Sequence, residues 1–259
     1  MRHFTKAAAA VAVVAAGSAS SAFAMDVAQG RIAELRNTFN ASTSVDRTGT
    51  SICYSSLSQN LNTGFVGVGG DTIYADDILM DKPAGTRIDE ITFSVVSFNN
   101  DGSSTGGVVT VDVQVGLFNA GPDGLPDFGS VKAVIPVTGI QIGSYSGGTL
   151  SIDVKDLNIV KKDEMMWAGL VYTGATGPAN ADGTTLFENL GQIISGAGPA
   201  ETGFSDDLFF NGDTGGLSFF GGFPANIYAN FAWEFRSVPT PGAMAIFGLA
   251  GVAATRRRR

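Results

Sequence analysis

The side chains in this sequence that could do chemistry are mostly oxygen donors. In "FNAGPDGLPDFG", Asn119, Asp123 and Asp127 recur at a spacing that lets their oxygens surround a hard cation such as Ca2+, and Gly124 follows Asp123 as in a calcium loop. The fit to an EF-hand is incomplete, because a loop begun at Asn119 would want an oxygen side chain at Gly121 and a bidentate Glu at Ser130. The same stretch also reads as a long hairpin loop built on Pro and Asp-Gly turn chemistry. The turn reading is the favoured one, so no cofactor is expected; Ca2+ held by Asn119, Asp123 and Asp127 is the alternative. Two further acidic stretches stand out. In "IYADDILM", Asp76 and Asp77 are adjacent; on a strand they point to opposite faces, so at most one is expected to look inward. "SDDLFFNGDTGG" holds Asp206, Asp207, Asn211 and Asp213, where Asn211-Gly212 reads as a turn first and a cation site second.

Carboxylates also perform glycoside hydrolysis, which needs two of them at a fixed separation, one held protonated in apolar surroundings. Glu164, beside Met165, Met166 and Trp167, has strongly apolar company, yet "VKKDEMMW" reads first as a charged turn entering a strand. Nothing singles out a pair among the acidic residues, so no catalytic residue is assigned. Trp167 and Trp233 fall in buried-strand patterns rather than on a surface suited to stacking against sugars.

Composition narrows the chemistry further. The 259 residues contain one histidine, His3, and one cysteine, Cys53. His3 precedes the expected mature chain, so Ser-His-Asp and Cys-His arrangements and His-containing zinc sites are excluded from the body. Cys53 has no intramolecular disulfide partner and reads as a small buried residue, with an intermolecular bond as the alternative. The net charge is −8, and because six of the 16 basic residues lie at the two ends, the body carries ten Lys and Arg against 24 Asp and Glu. Such a surface does not attract nucleic acid, and it repels acidic glycans unless divalent cations intervene.

The elements that would position these side chains are strands. In "RIDEITFSVVSF", Ile91, Phe93 and Val95 share one face. In "VVTVDVQVGLF", Val109 to Leu117 alternate with Thr110, Asp112, Gln114 and Gly116. "NNDGSSTGG" between them predicts a hairpin. Further strands are expected at 131–135, 149–154, 166–172 and 184–187. In "NIYANFAWEFRS", Ala229, Phe231, Trp233 and Phe235 form an apolar face opposite Asn230, Glu234 and Arg236. Ile32, Leu35 and Phe39 lie at helical spacing and predict one short helix, weakened by Gly30. Glycine, at 35 residues, supplies frequent turns. The expectation is an all-β chain, an antiparallel β-sandwich of jelly-roll type, as one domain over 25–237.

The ends predict export. Arg2 and Lys6 precede the apolar run Ala7 to Ala16, and small residues ending in Ala22, Phe23 and Ala24 complete a secretory signal over 1–24, with signal peptidase as partner and a mature start at Met25. At the other end, "VPTPGA" (Val238, Pro239, Thr240, Pro241, Gly242, Ala243) opens a tail over 238–259. Gly242 to Thr255 are 14 uncharged residues. As a helix they span roughly 21 Å, short of a hydrocarbon core of about 30 Å. Arg256, Arg257, Arg258 and Arg259 would hold that end in the cytoplasm. This order of proline motif, short apolar helix and arginine cluster resembles the PEP-CTERM sorting signal, which exosortase-type membrane enzymes recognise and process. Thr240 stands where the family's central carboxylate is usual. Asp76 and Asp77 in "ADDI", followed by "RIDEITF", also resemble early strands of surface proteins with such tails.

The resemblance implies transient anchoring in the inner membrane and release to the cell surface or an exopolysaccharide matrix, with an exosortase-type partner. The expected function is noncatalytic. The alternatives are a calcium-assisted carbohydrate-binding sandwich and a carboxylate-dependent glycosidase or lyase.

Overall fold

Alternating β-branched residues become extended chain wherever one face can be covered, and in this protein cover is available on nearly every face. The computed structural model describes residues 26–27, 31–34, 36–42, 50–57, 63–66, 72–102, 107–162, 165–195, 200, 202–206, 208–219 and 230–237. In chain order the strands begin with β1 (Asp26–Val27), β2 (Arg31–Glu34), β3 (Asn37–Ser42), β4 (Ser51–Ser55), β5 (Thr63–Val66) and β6 (Tyr74–Ile78). There follow β7 (Arg87–Ile88), β8 (Glu90–Ser97), β9 (Val108–Ala120), β10 (Pro126–Gly143), β11 (Ser146–Asp153) and β12 (Ile159–Val160). The last are β13 (Met166–Thr176), β14 (Leu190–Ser195), β15 (Leu208–Asn211), β16 (Gly216–Phe219), β17 (Asn230–Phe231) and β18 (Glu234–Ser237).

Two sheets build the sandwich. The first has the order β1-β16-β15-β6-β13-β9-β10, and the second runs β2-β5-β14-β8-β11-β3, with β17 on β14 and β18 joining β4 to β8. All pairings in these sheets are antiparallel except β1 with β16 and β3 with β11. The chain passes repeatedly from one sheet to the other, and a single core fills the space between them. Val109, Val111, Val113 and Val115 of β9 and Ile91, Phe93 and Val95 of β8 all belong to it, each at most 1% exposed. Smaller apolar clusters lie apart from that core: Ala75, Phe118, Trp167 and Phe210 in the first sheet, and Val96, Phe98, Ile193 and Ala232 in the second.

The period-two reading holds in β9, where Thr110, Asp112 and Gln114 are half-buried between fully buried valines. Elsewhere the structure corrects the sequence. Ile32 and Phe39 lie on strands β2 and β3, not on a helix, because β3 finds a ladder along β11 from Asn37↔Ser146 to Ser42↔Ser151. Phe39 packs on the core and sits so close over Gly148 that a Cβ there would meet its side chain at 2.4 Å. Helical spacing of three residues does not compete with six paired residues and a half-buried ring packed on the core.

The expected hairpin between β8 and β9 does not form, since they belong to different sheets. β8 pairs with β11, β14 and β18, and β9 with β10 and β13. Every residue of β8 is buried, so it needs neighbours on both edges and cover on both faces, which a two-strand ribbon cannot give. Residues 184–187 are not a strand. Asn180 Nδ2 donates to the Thr184 and Thr185 carbonyls, Asp182 accepts from the Thr184 amide, and a 3-10 turn follows at Phe187–Asn189. Those side chains hold the main-chain groups a ladder would use. In the final segment Phe231, Trp233 and Phe235 are buried as expected, but Asn230 and Glu234 are buried too, and the strand breaks at Ala232-Trp233. Ser56 makes that break: its Oγ donates to the Phe231 and Trp233 carbonyls and accepts from the Trp233 amide at 3.0 Å.

Candidate functional site

β6 lies inside the first sheet, between β15 and β13. Tyr74 and Ile78 face the core between the sheets and Ala75 faces the outer cluster, so Asp76 is directed inward and Asp77 outward. The expectation of opposite faces, with one at most looking inward, holds, and the outward one is covered as well: Asp76 is 0% exposed and Asp77 3%. The segment 202–206 provides the cover. Phe204 bridges Leu79, and β15 then resumes pairing at Phe209↔Asp76, leaving a looped-out stretch beside the two carboxylates.

Ser205 occupies that gap. Its Oγ lies 3.2 Å from Asp76 Oδ1, 3.0 Å from Asp77 Oδ1, 2.8 Å from Asn230 Oδ1 and 3.3 Å from the Asp206 carbonyl. Asp76 Oδ2 accepts from the Phe231 amide of β17 at 2.8 Å, and both Asp77 oxygens accept from the Asp206 amide at 3.1 Å. The pair thereby ties β6 of one sheet to β17 of the other. Gly203 makes the approach possible. It has φ +82°, and a Cβ there would lie 2.5 Å from the Leu79 carbonyl and 2.9 Å from the Tyr54 ring.

Burial governs the electrostatics of this group. It pushes the Asp76 carboxyl well above the ordinary range, reinforced by the charge of Asp77 and opposed by the hydrogen bonds from Phe231 and Ser205. Burial likewise raises Asp77 to about 6, against the hydrogen bonds from the Asp206 amide and Ser205. The Tyr54 phenol, fully buried, is also pushed up, first by burial and then by the charge of Asp76.

The other acidic stretches are turns. Asp123 Oδ1 accepts from the Leu125 amide and Asp127 Oδ1 from the Gly129 amide, while Asn119 Nδ2 donates to Ser130. Each of the three side chains in the alternative cation reading is thus engaged in its own local contact, although Asn119 and Asp127 face one another across the β9–β10 ladder. The turn is pinned from below by Trp167 Nε1, which donates to the Gly124 carbonyl at 3.0 Å. Among the described residues, no three His, Cys, Asp or Glu side chains converge as metal ligands. Asn211 Oδ1 accepts from the Asp213 amide, and the Asp213 carboxylate takes hydrogen bonds from Thr72 and from Tyr74 Oη at 2.6 Å, so this stretch braces β6. Cys53 is a free, buried thiol whose pKa burial raises.

A small hollow of about 10 Å3, room for one water, is lined by Lys132, Lys161 and Lys162 together with apolar side chains such as Ile78 and Met166. It does not reach the aspartate pair. Ala22, Ala24, Val238, Pro239, Thr240, Pro241, Gly242, Ala243 and Arg256 to Arg259 lie outside the described residues, as do Glu164 and Asp207. No helix among the described residues is long and apolar enough to cross a membrane. Ser205, Asn230 and Tyr54 were not singled out by sequence. Ser205 opens the quoted "SDDLFFNGDTGG", where only the acidic residues and the Asn-Gly turn were read, and Asn230 was read only as the polar face of the last strand.

The fold defines an all-β protein of predominantly antiparallel sheets. No protein-family model matches the chain, and comparison with curated proteins and with solved structures finds no similar chain.

Proposed function

We propose that the chain is a noncatalytic exported protein of the cell surface or exopolysaccharide matrix, delivered through its C-terminal tail by an exosortase-type enzyme. The observation that carries this reading is the order of the terminal segments: a cationic, apolar and small-residue start, then "VPTPGA", a short apolar run and Arg256 to Arg259. β18, the last described strand, runs to Ser237, next to Val238 in sequence. The noncatalytic part rests on the aspartate pair. Glycosidase chemistry asks for carboxyl groups about 5 to 10 Å apart across a substrate. Asp76 and Asp77 are chain neighbours, both buried and bonded to main-chain amides.

The test is intact-mass measurement of the protein recovered outside the cell. The expected species begins at Met25 and lacks Arg256 to Arg259. Recovery of an exported chain that still carries the four arginines overturns the sorting reading. Replacing them by glutamine is expected to change the fraction retained in the membrane.

A further inference from the structure

Strand alternation calls for an apolar side chain at position 161, and a lysine stands there. On β12 Ile159 is buried and Val160 exposed, and the ladder runs one residue further: the Lys161 amide donates to the Thr86 carbonyl, and the Lys161 carbonyl accepts from the Gly85 amide. Lys161 therefore shares the inward face with Ile159, and it is only 9% exposed. Among the described residues its ammonium group has neither an ion pair nor a hydrogen-bond acceptor. Burying such a charge is costly unless an anion answers it. Two more lysines meet it. Lys132 and Lys162 line the same hollow, and the rest of its lining is apolar, Ile78, Ile159 and Met166 included. Lys132 sits in the bulge between Val131 and Ala133, with no β9 residue opposite, and its Nζ donates to the Val160 carbonyl at 3.1 Å. An ammonium group gives hydrogens and accepts none. The polar side chains around the hollow are thus donors only, and what suits them is an acceptor with negative charge. In a body with ten basic residues against 24 acidic ones, this gathering is a local reversal of the charge.

We propose that Lys132, Lys161 and Lys162 form a binding site for a phosphate group. The hollow holds one water-sized oxygen, so one phosphate oxygen enters it and the others stay outside, beside the exposed Lys162. Phosphate is favoured over a carboxylate because compact ammonium groups on two chain segments match a tetrahedral, doubly charged group. A planar carboxylate is matched best by the fork of an arginine, and no arginine lines the hollow. The chemistry at the lysines is the same whether the phosphate is free or belongs to a lipid headgroup. The site is separate from the Asp76 and Asp77 pair, and it does not depend on the export reading, which a failure here leaves standing.

The experiment follows thermal unfolding of the purified full chain at about pH 8, in sodium phosphate and in sodium chloride of equal ionic strength, so that screening is common to both. The expected result is a Tm higher by roughly 3 °C or more in phosphate. Lys161→Met puts an apolar side chain of similar length in place of the buried ammonium. It is expected to melt no lower than the wild type in chloride and to lose the phosphate response. Lys155→Gln, whose lysine pairs with Asp153 instead, is expected to keep it. Should Lys161→Met fail to fold, the exposed Lys162→Gln takes its place and is expected to weaken the response. Sedimentation with phosphatidylcholine vesicles, with and without phosphatidic acid, separates the two sources. Pelleting that needs phosphatidic acid and is weakened by the lysine variant assigns the site to a lipid headgroup; a phosphate-driven rise in Tm without such pelleting assigns it to free phosphate. Equal Tm in phosphate and chloride with no lysine-dependent pelleting overturns the proposal, as does a response that the lysine variants retain in full.

Discussion

Asp77 shows how burial turns a common surface residue into a stability determinant. Its folded pKa of about 6 stands above the ordinary carboxylate value, so between roughly pH 4 and 6 the folded chain holds a proton that the unfolded chain has released. A raised carboxyl contributes its stability at low pH and loses it as pH climbs through the folded value. Urea unfolding should therefore show stability falling by a few kcal/mol from pH 4 to pH 7 in the wild type relative to Asp77→Asn. An equal pH slope in the two proteins refutes this. Gly203 belongs to the same scale. Gly203→Ala forces a Cβ at φ +82° against the Leu79 carbonyl, and a loss of about 2 kcal/mol or more is expected by denaturant titration. The "ADD" stretch was legible as chemistry, but its partners were not. Ser205 and Asn230 lie 128 and 153 residues further along, and no local spacing connects them to it.

At the scale of elements, β10 is an edge. Its 18 residues pair only with β9 among the described strands, and Val131 and Val134 are exposed on it. Such an edge invites pairing with another chain, and this one is blunted by register shifts at three places and by Pro136, which has no amide hydrogen. Pro136→Val restores a donor on a β-branched residue and should raise aggregation on mild heating, read by light scattering, with little change in Tm. Unchanged scattering shows that the bulges alone suffice. The same irregularities explain why sequence located only 131–135 of this strand. A bulge shifts the alternation by one residue, and the longest run without a shift before Ile140, Ala133 to Val137, overlaps the expected 131–135. In β9, with no bulge along Val109 to Val115, the alternation was readable throughout.

Across the whole molecule the sheets are joined by polar as well as apolar contacts. Tyr172 Oη of β13 donates to the Gly191 carbonyl of β14 at 2.5 Å, and Gln192 Nε2 of β14 donates to the Tyr74 carbonyl of β6 at 3.3 Å. Between them lies an aromatic seam. Phe209 of β15 meets Phe231 of β17 edge-on, and Trp233 stacks on Phe235 beside Phe93. Trp233→Ala empties the space of a fully buried indole and is expected to remove about 3 to 5 kcal/mol, or roughly 10 °C of Tm. A loss under 1 kcal/mol means the seam is not shared by the two sheets. The sequence by itself determined the all-β class, the valine face of β9, the buried aromatic triplet Phe231, Trp233 and Phe235, and the absence of histidine chemistry from the body. These follow from composition and from patterns a few residues long, which the chain carries in any conformation. Only the tertiary structure decided that β8 and β9 separate into two sheets, that residues 31–34 and 37–42 extend along their neighbours rather than coil, and that Asp76 and Asp77 meet Ser205. Each of those depends on which distant main-chain donors and acceptors find one another, and that is settled when the whole chain buries its polar groups together.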